Sequence, residues 1–240
     1  MNILNAKPSV RYALAALMLA GCTASQQSLH KGDRIIFFGD SITQQGVKPN
    51  GYVTLIRDSL DARYSGMNID VVGAGVSGNK VTDLQGRLQR DVLDKHPTIV
   101  VIYIGINDVW HWVLPNHTGT PKDIFKSGLK DIIASIQHED ARVILCTPSV
   151  IGEKYDGTNP QDAMLDEYSA ISRRVAKETG SALCDLRSGF VEYLKFRNPA
   201  NQEKGILTID RVHLNDDGNR FGAYVGQNRA GEKRVEDMNV

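Results

Sequence analysis

Cysteine is scarce. The three in 240 residues stand at positions 22, 146 and 184, too few and too far apart for a disulfide framework or a thiolate metal site. No C-x-x-C and no H-E-x-x-H occurs, and His111 and His117 are separated by a Pro-containing loop, so neither a metal nor any other cofactor is expected. Charge of one sign is also missing. Lys plus Arg and Asp plus Glu both count 28, which removes the field that would draw nucleic acid or an anionic membrane surface. The apolar stretch Tyr12 to Ala20 falls short of the roughly 20 residues that span a bilayer. Without repeats or low-complexity segments, the chain reads as one ordinary globular domain acting on a neutral or locally recognised small molecule.

That short apolar stretch follows Lys7 and Arg11, which is the layout of a secretory signal. Leu19-Ala20-Gly21-Cys22 resembles the lipobox of bacterial lipoproteins, which implies that Cys22 is acylated and becomes the mature N-terminus. The plainer alternative is an ordinary signal peptide cut nearby. On the first reading, residues 1–21 are the signal, 22–31 a polar tether, 32–225 the folded domain and 226–240 a weakly structured tail. The residue after Cys22 is not Asp, and by the same resemblance this implies an outer-membrane destination, the membrane being met through the lipid anchor alone. Cys146 and Cys184 close two apolar runs and read as buried thiols, a disulfide between them being the alternative.

Inside the domain, apolar runs alternate with amphipathic segments. Arg34 to Phe38, Ile69 to Val72, Thr98 to Ile104, Arg142 to Cys146 and Ala182 to Leu186 have the near-continuous apolar character of parallel strands covered on both faces. Between them, apolar residues recur at helical spacing: Tyr52, Leu55, Ile56 and Leu60; Leu84, Leu88 and Val92; Ile124, Leu129, Ile132 and Ile136; Met164, Leu165, Tyr168, Ile171 and Val175. Gly180 is a C-terminal cap for the last of these, and a short helix is expected over 188–195. Strict alternation predicts a single α/β domain on a mostly parallel, five-stranded sheet.

Chemistry clusters where strands end. Gly39-Asp40-Ser41 follows the first strand, a Gly-rich turn from Gly73 to Asn79 the second, and Gly105-Ile106-Asn107-Asp108 the third. Far downstream, Asp210-Arg211-Val212-His213 offers a base and an acid to orient it. Each alone has an ordinary explanation: a helix cap, a glycine turn, an Asx turn, a satisfied polar histidine. In this order, they supply a nucleophile, a base and donors for an oxyanion.

The four blocks together resemble the SGNH (GDSL-type) hydrolases over roughly residues 34–220. The resemblance implies a three-layer, flavodoxin-like α/β sandwich. It also implies Ser41 as nucleophile, His213 as general base and then acid, and Asp210 holding the imidazole. The backbone N–H groups of Ser41 and Gly78 and the side-chain amide of Asn107 would form the oxyanion hole. Asp40 and Asp108 are read as ordering their loops.

Departures from the family pattern are visible too. Gly73 stands where the family often has Asn, so a bracing hydrogen bond is expected to be missing or replaced. The second Gly of a Gly-x-Ser-x-Gly elbow is absent, which argues against the common lipase fold. Beyond His213, Gly222 and Gly226 weaken the expected final helix. Trp110-His111-Trp112 follows the Asn107 block and either stacks on sugar rings or packs a loop. By resemblance, the function is hydrolysis of small acyl esters, acetyl above all, on carbohydrates. The rivals are a lysophospholipase or thioesterase of the same fold, and a glycan-binding lipoprotein without turnover. Nothing in the sequence sets the oligomeric state.

Overall fold

Runs of branched and aromatic residues form five strands: β1 (Arg34–Gly39), β2 (Asp70–Gly75), β3 (Ile99–Tyr103), β4 (Arg142–Cys146) and β5 (Ala182–Cys184). All neighbours pair in parallel, in the order β2-β1-β3-β4-β5. The computed structural model describes residues 29–227; the expected signal segment, Cys22 and the tail beyond residue 227 lie outside the described residues.

Successive residues of a strand face opposite sides, and here each side finds a helix layer. Phe38 lies under Arg87 of α3 (Val81–Asp91), whereas Phe37 meets Tyr52 of α2 (Tyr52–Arg63) edge to face at 5.7 Å. On the Phe38 side α3 packs on α5 (Lys122–His138), and α5 on α6 (Asp162–Thr179). Opposite, α8 (Asp216–Gln227) packs on α2 and α7 (Leu186–Arg197). The chain leaves β1 toward β2 on one side and returns to β3 on the other. This reversal opens a crevice above the C-terminal ends of β1 and β3, where open α/β sheets bind their ligands.

Local differences from expectation have steric causes. The glycine turn expected from Gly73 begins later, because β2 continues through Gly75 in register with Gly39. A Cβ on Gly73 would lie 2.1 Å from Val47 Cγ1, and one on Gly75 2.1 Å from the Gln44 nitrogen. These glycines therefore let the short helix α1 (Ser41–Gly46) lie directly on the sheet, and Val47 occupies the space of the expected Asn brace. Helix α1 and its counterpart α4 (Ile106–Trp110) were not expected, since five or six residues are too few to display a period. Strand β5 stops at Cys184 because the Asp185 side chain accepts the Ser188 N–H and starts α7, two residues before the expected Ser188. Despite Gly222, α8 runs to Gln227, with Phe221 packed against Phe190 and Tyr193 at centroid distances of 5.1 and 4.7 Å.

Cys146 and Cys184 are register partners on neighbouring strands, both buried and both free. Hydrogen bonding to Cys184, together with burial, pushes the Cys146 thiol well up. Below them, between the sheet and helices α2, α7 and α8, lies an apolar cavity of about 490 Å³ whose lining includes Phe37, Tyr103, Phe190, Leu214 and Gly222.

Candidate active site

Ser41 is the first residue of α1 and is buried to 6% exposure. Its position is fixed from below and behind. Gly39 brings β1 so close to its neighbours that a Cβ would lie 2.4 Å from the Tyr103 carbonyl oxygen, and the Asp40 carboxylate caps α1 by accepting the Ile42 N–H at 2.9 Å. Burial, with Asp108 nearby, pushes the Asp40 carboxyl up to about 7.

From the far end of the domain, His213 reaches Ser41, its Nε2 standing 2.9 Å from Oγ. On the other edge of the ring, Nδ1 lies 2.7 Å from Asp210 Oδ2. The remaining oxygen, Asp210 Oδ1, accepts the backbone N–H groups of Val212 and His213 at 3.1 and 2.8 Å. Burial alone would raise the Asp210 carboxyl, but these donors outweigh it and hold the group below the usual range. A carboxylate so held fixes the proton on Nδ1 and leaves Nε2 to accept from the serine.

The expected oxyanion donors Gly78 and Asn107 are linked through Asn79, the residue after Gly78. Gly78 adopts φ +78°, the left-handed region that L side chains rarely enter, and nothing lies within 4 Å of where its Cβ would be. Asn107, on α4, donates one Nδ2 hydrogen to the Asn79 carbonyl at 3.0 Å, so its second hydrogen is available to a ligand. Asp108 is engaged at the start of α3. Its Oδ1 accepts the Val81 N–H at 3.1 Å, its Oδ2 is buried without a hydrogen bond, and burial pushes its carboxyl up to about 6.

Trp110, His111 and Trp112 separate in the structure. Trp110 packs against the core. The Trp112 ring covers Gly119, whose Cβ would lie 2.2 Å from Cδ1, and its carbonyl meets His117 Nδ1 at 2.5 Å. Among the described residues no hydrogen bond or ring contact joins the three to Ser41 or His213. His111 is half-buried; burial and the Lys80 ammonium lower its imidazole.

Of the buried charges that the sequence did not reveal, two bear on this site. Arg87 donates to Asn79 Oδ1 (2.6 Å), the Ala74 and Gly39 carbonyls (2.9 and 2.6 Å) and Asp91 (2.9 Å). A cation on the Leu84–Leu88 face of α3, at spacing that otherwise marks apolar burial, was the available signal. Glu153, 0% exposed, takes the N–H groups of Ile206, Leu207 and Thr208 at 2.7, 2.7 and 2.5 Å and the Thr208 hydroxyl at 2.8 Å. It thereby anchors the segment that leads into Asp210 and His213. A lone Glu within Val150-Ile151-Gly152-Glu153 was its signal.

A serine, an imidazole and a carboxylate in hydrogen-bonded series beside amide donors suit acyl transfer. Residues 37–221 match the GDSL-like Lipase/Acylhydrolase family, and the chain belongs to it; it is a carboxylic ester hydrolase of the SGNH type. Its relatives include an acetylxylan esterase of Geobacillus stearothermophilus, 34% identical over 197 residues that cover 76% of this chain and 86% of the relative. Among solved structures, the acetyl xylan esterase AlAXEase is 46% identical, with a TM-score of 0.78, covering 81% of this chain and 98% of its own. A structure of the Geobacillus enzyme described as a catalytic mutant, with a histidine replaced by alanine, matches at TM-score 0.76 and 30% identity, covering 86% and 98% of the two chains. Serine and aspartate variants of that enzyme carry the same description.

Proposed function

We propose that this protein removes small acyl groups, acetyl above all, from carbohydrate esters through an acyl-serine intermediate. The continuous contact from Ser41 Oγ through His213 to Asp210, at 2.9 and 2.7 Å, carries the reading. In the forward step, Ser41 Oγ attacks the ester carbonyl carbon while its proton passes to His213 Nε2. The tetrahedral oxyanion is met by the N–H groups of Ser41 and Gly78 and the amide of Asn107. Collapse breaks the bond to the sugar oxygen, which leaves with the proton from His213. Water, deprotonated by the same nitrogen, then attacks the acyl carbon; acetate departs and the proton returns to Ser41.

Support for acetyl on a carbohydrate comes from the named activity of the acetylxylan esterases. Support for a short acyl group comes from the same named activity. Export and anchoring through an acylated Cys22 belong to the same proposal; replacing Cys22 by Ser should then abolish incorporation of labelled palmitate.

Two measurements test the chemistry. Acetate release from acetylated xylan, with a series of synthetic acyl esters, should show activity on acetyl and propionyl esters that fades with chain length. A preference for chains of about eight carbons or more would favour the lysophospholipase reading instead, because such chains need a long apolar groove. A fluorophosphonate should label Ser41, and the label should vanish in Ser41→Ala; a folded protein that does not label would overturn the reading.

A further inference from the structure

We infer that Arg87 is a positioning residue for the oxyanion hole, acting through Asn79; the inference rests on the esterase reading above. Arg87 is 8% exposed and its guanidinium fork is spread over groups from separate parts of the site. One arm holds the Gly39 carbonyl, immediately before Asp40 and Ser41; another holds the Ala74 carbonyl near the end of β2; Nε holds the side chain of Asn79. Its flat face rests on Phe38 at 4.5 Å from the ring centroid, and Asp91 balances its charge from the outer side.

Asn79 is the pivot. Its peptide nitrogen is bonded to Gly78, whose own N–H is one proposed donor, while its carbonyl accepts Nδ2 of Asn107, the other. A rotation of Asn79 therefore turns both donors at once. Gly78 cannot resist that rotation by itself, being a glycine at φ +78° with no atom within 4 Å of its Cβ position. The charge-assisted bond of 2.6 Å from Arg87 Nε to Asn79 Oδ1 is what locks the side chain, and the same cation ties the lock to the strand that carries the nucleophile. A lysine at 87 keeps the charge but lacks the planar fork, so it cannot serve these acceptors together.

Arg87→Lys, Asn79→Ala and the double variant test this in the full chain with p-nitrophenyl acetate, kcat being expressed per fluorophosphonate-titrated site. Arg87→Lys should lower kcat about 10- to 100-fold with KM within about two-fold, the pattern of an interaction realised in the transition state. Asn79→Ala should lose about ten-fold, and the double variant should be no worse than Arg87→Lys, because both cut one path. The acid limb of the pH–rate profile should stay in place, since His213 and Asp210 are untouched. Phosphonylation of Ser41 should slow in parallel, as the phosphoryl oxygen occupies the same donors. Full titration with kcat within about two-fold of the parent, or losses that multiply in the double variant, would overturn the inference. So would an activity loss confined to a smaller titratable fraction, which is what a merely structural arginine gives. If Arg87→Lys fails to fold, Asn79→Ala alone decides. A parent that labels at Ser41 but hydrolyses no ester refutes the esterase reading, and the variants' labelling rates still read the hole.

Discussion

Replacing Asp210 by asparagine separates the two tasks of its carboxylate. Oδ1 accepts the Val212 and His213 N–H groups at 3.1 and 2.8 Å, and Oδ2 faces His213 Nδ1 at 2.7 Å. An amide has one acceptor, and it must stay on the two backbone donors, because an NH2 group there would set donors against donors. The NH2 then faces Nδ1, and the imidazole answers by moving its proton to Nε2. That N–H points at Ser41 Oγ, 2.9 Å away, and cannot take the serine's proton. A reversed tautomer of this kind costs about 10⁴ in kcat, or about 5.5 kcal/mol of transition-state stabilisation. Stability should change by less than about 1 kcal/mol near pH 7, because the loop's backbone bonds survive. Since the parent carboxyl is held below its usual range, its contribution to stability is complete above about pH 5 and is lost as the pH falls through the lowered value; the asparagine variant should lack that acid-side loss. Initial rates on p-nitrophenyl acetate, corrected for spontaneous hydrolysis and for the titrated fraction, measure the effect. A folded Asp210→Asn protein within about ten-fold of the parent would refute the tautomer argument.

Gly222→Ala should stabilise the protein by about 0.5–1 kcal/mol, since the residue lies inside α8 and its Cβ would meet nothing closer than 3.8 Å on the wall of the cavity; a lowered melting temperature would contradict this. Glu153→Ala strips the acceptor from three backbone N–H groups at once and should cost about 3–5 kcal/mol in chemical denaturation, less than about 1 kcal/mol being incompatible with the anchor described above. Asp40 binds its proton more tightly folded (about 7) than at its ordinary value of 3.8, so it erodes stability as pH rises through that window. Asp40→Asn keeps an acceptor for the Ile42 N–H and should flatten melting temperature against pH over this range, whereas an unchanged slope would show that Asp40 is not the titrating group.

What the sequence displayed plainly was whatever repeats with a period. Runs such as Ile35-Ile36-Phe37-Phe38 and the apolar stripe of α6 are long enough to declare their element and their burial, and Gly180 does sit at φ +67° as the cap of α6. The first three blocks were legible for a different reason: each stands just after a strand, so locating the strand locates the side chain, whereas the fourth was legible only by its pairing of Asp210 with His213. The remainder depended on distance in space. That Gly73 belongs to β2 is decided by Val47, 26 positions earlier, and that Trp112 packs a loop is decided by Gly119 beneath it. Arg87 and Glu153 were opaque because a buried charge is recognised by its partners, and theirs are largely backbone atoms, which every residue possesses.

Sheet order explains why blocks so far apart in sequence can meet. Ser41, Gly78 and Asn107 follow β1, β2 and β3, and in the order β2-β1-β3 the strand of the proposed nucleophile lies between those of the two other proposed oxyanion donors. Neighbouring parallel strands lie about 5 Å apart, so three strand ends deliver groups to one substrate carbonyl without long loops. The base has no such strand. His213 comes from the irregular segment between α7 and α8, held by the Thr208–Leu214 bridge, by Gly152 N–H donation to the Arg211 carbonyl at 2.8 Å, and by Glu153 beyond β4. Arg211, between Asp210 and His213, sits at φ +88°, a conformation a non-glycine residue keeps only when its surroundings impose it. On the proposed roles, nucleophile and hole are thus set by the sheet, and the base by a loop pinned to a buried carboxylate. It follows that Glu153 variants should lose kcat through His213 while leaving the Arg87-dependent hole intact, and that Arg87 and Glu153 substitutions, acting on separate devices, should combine additively in free energy.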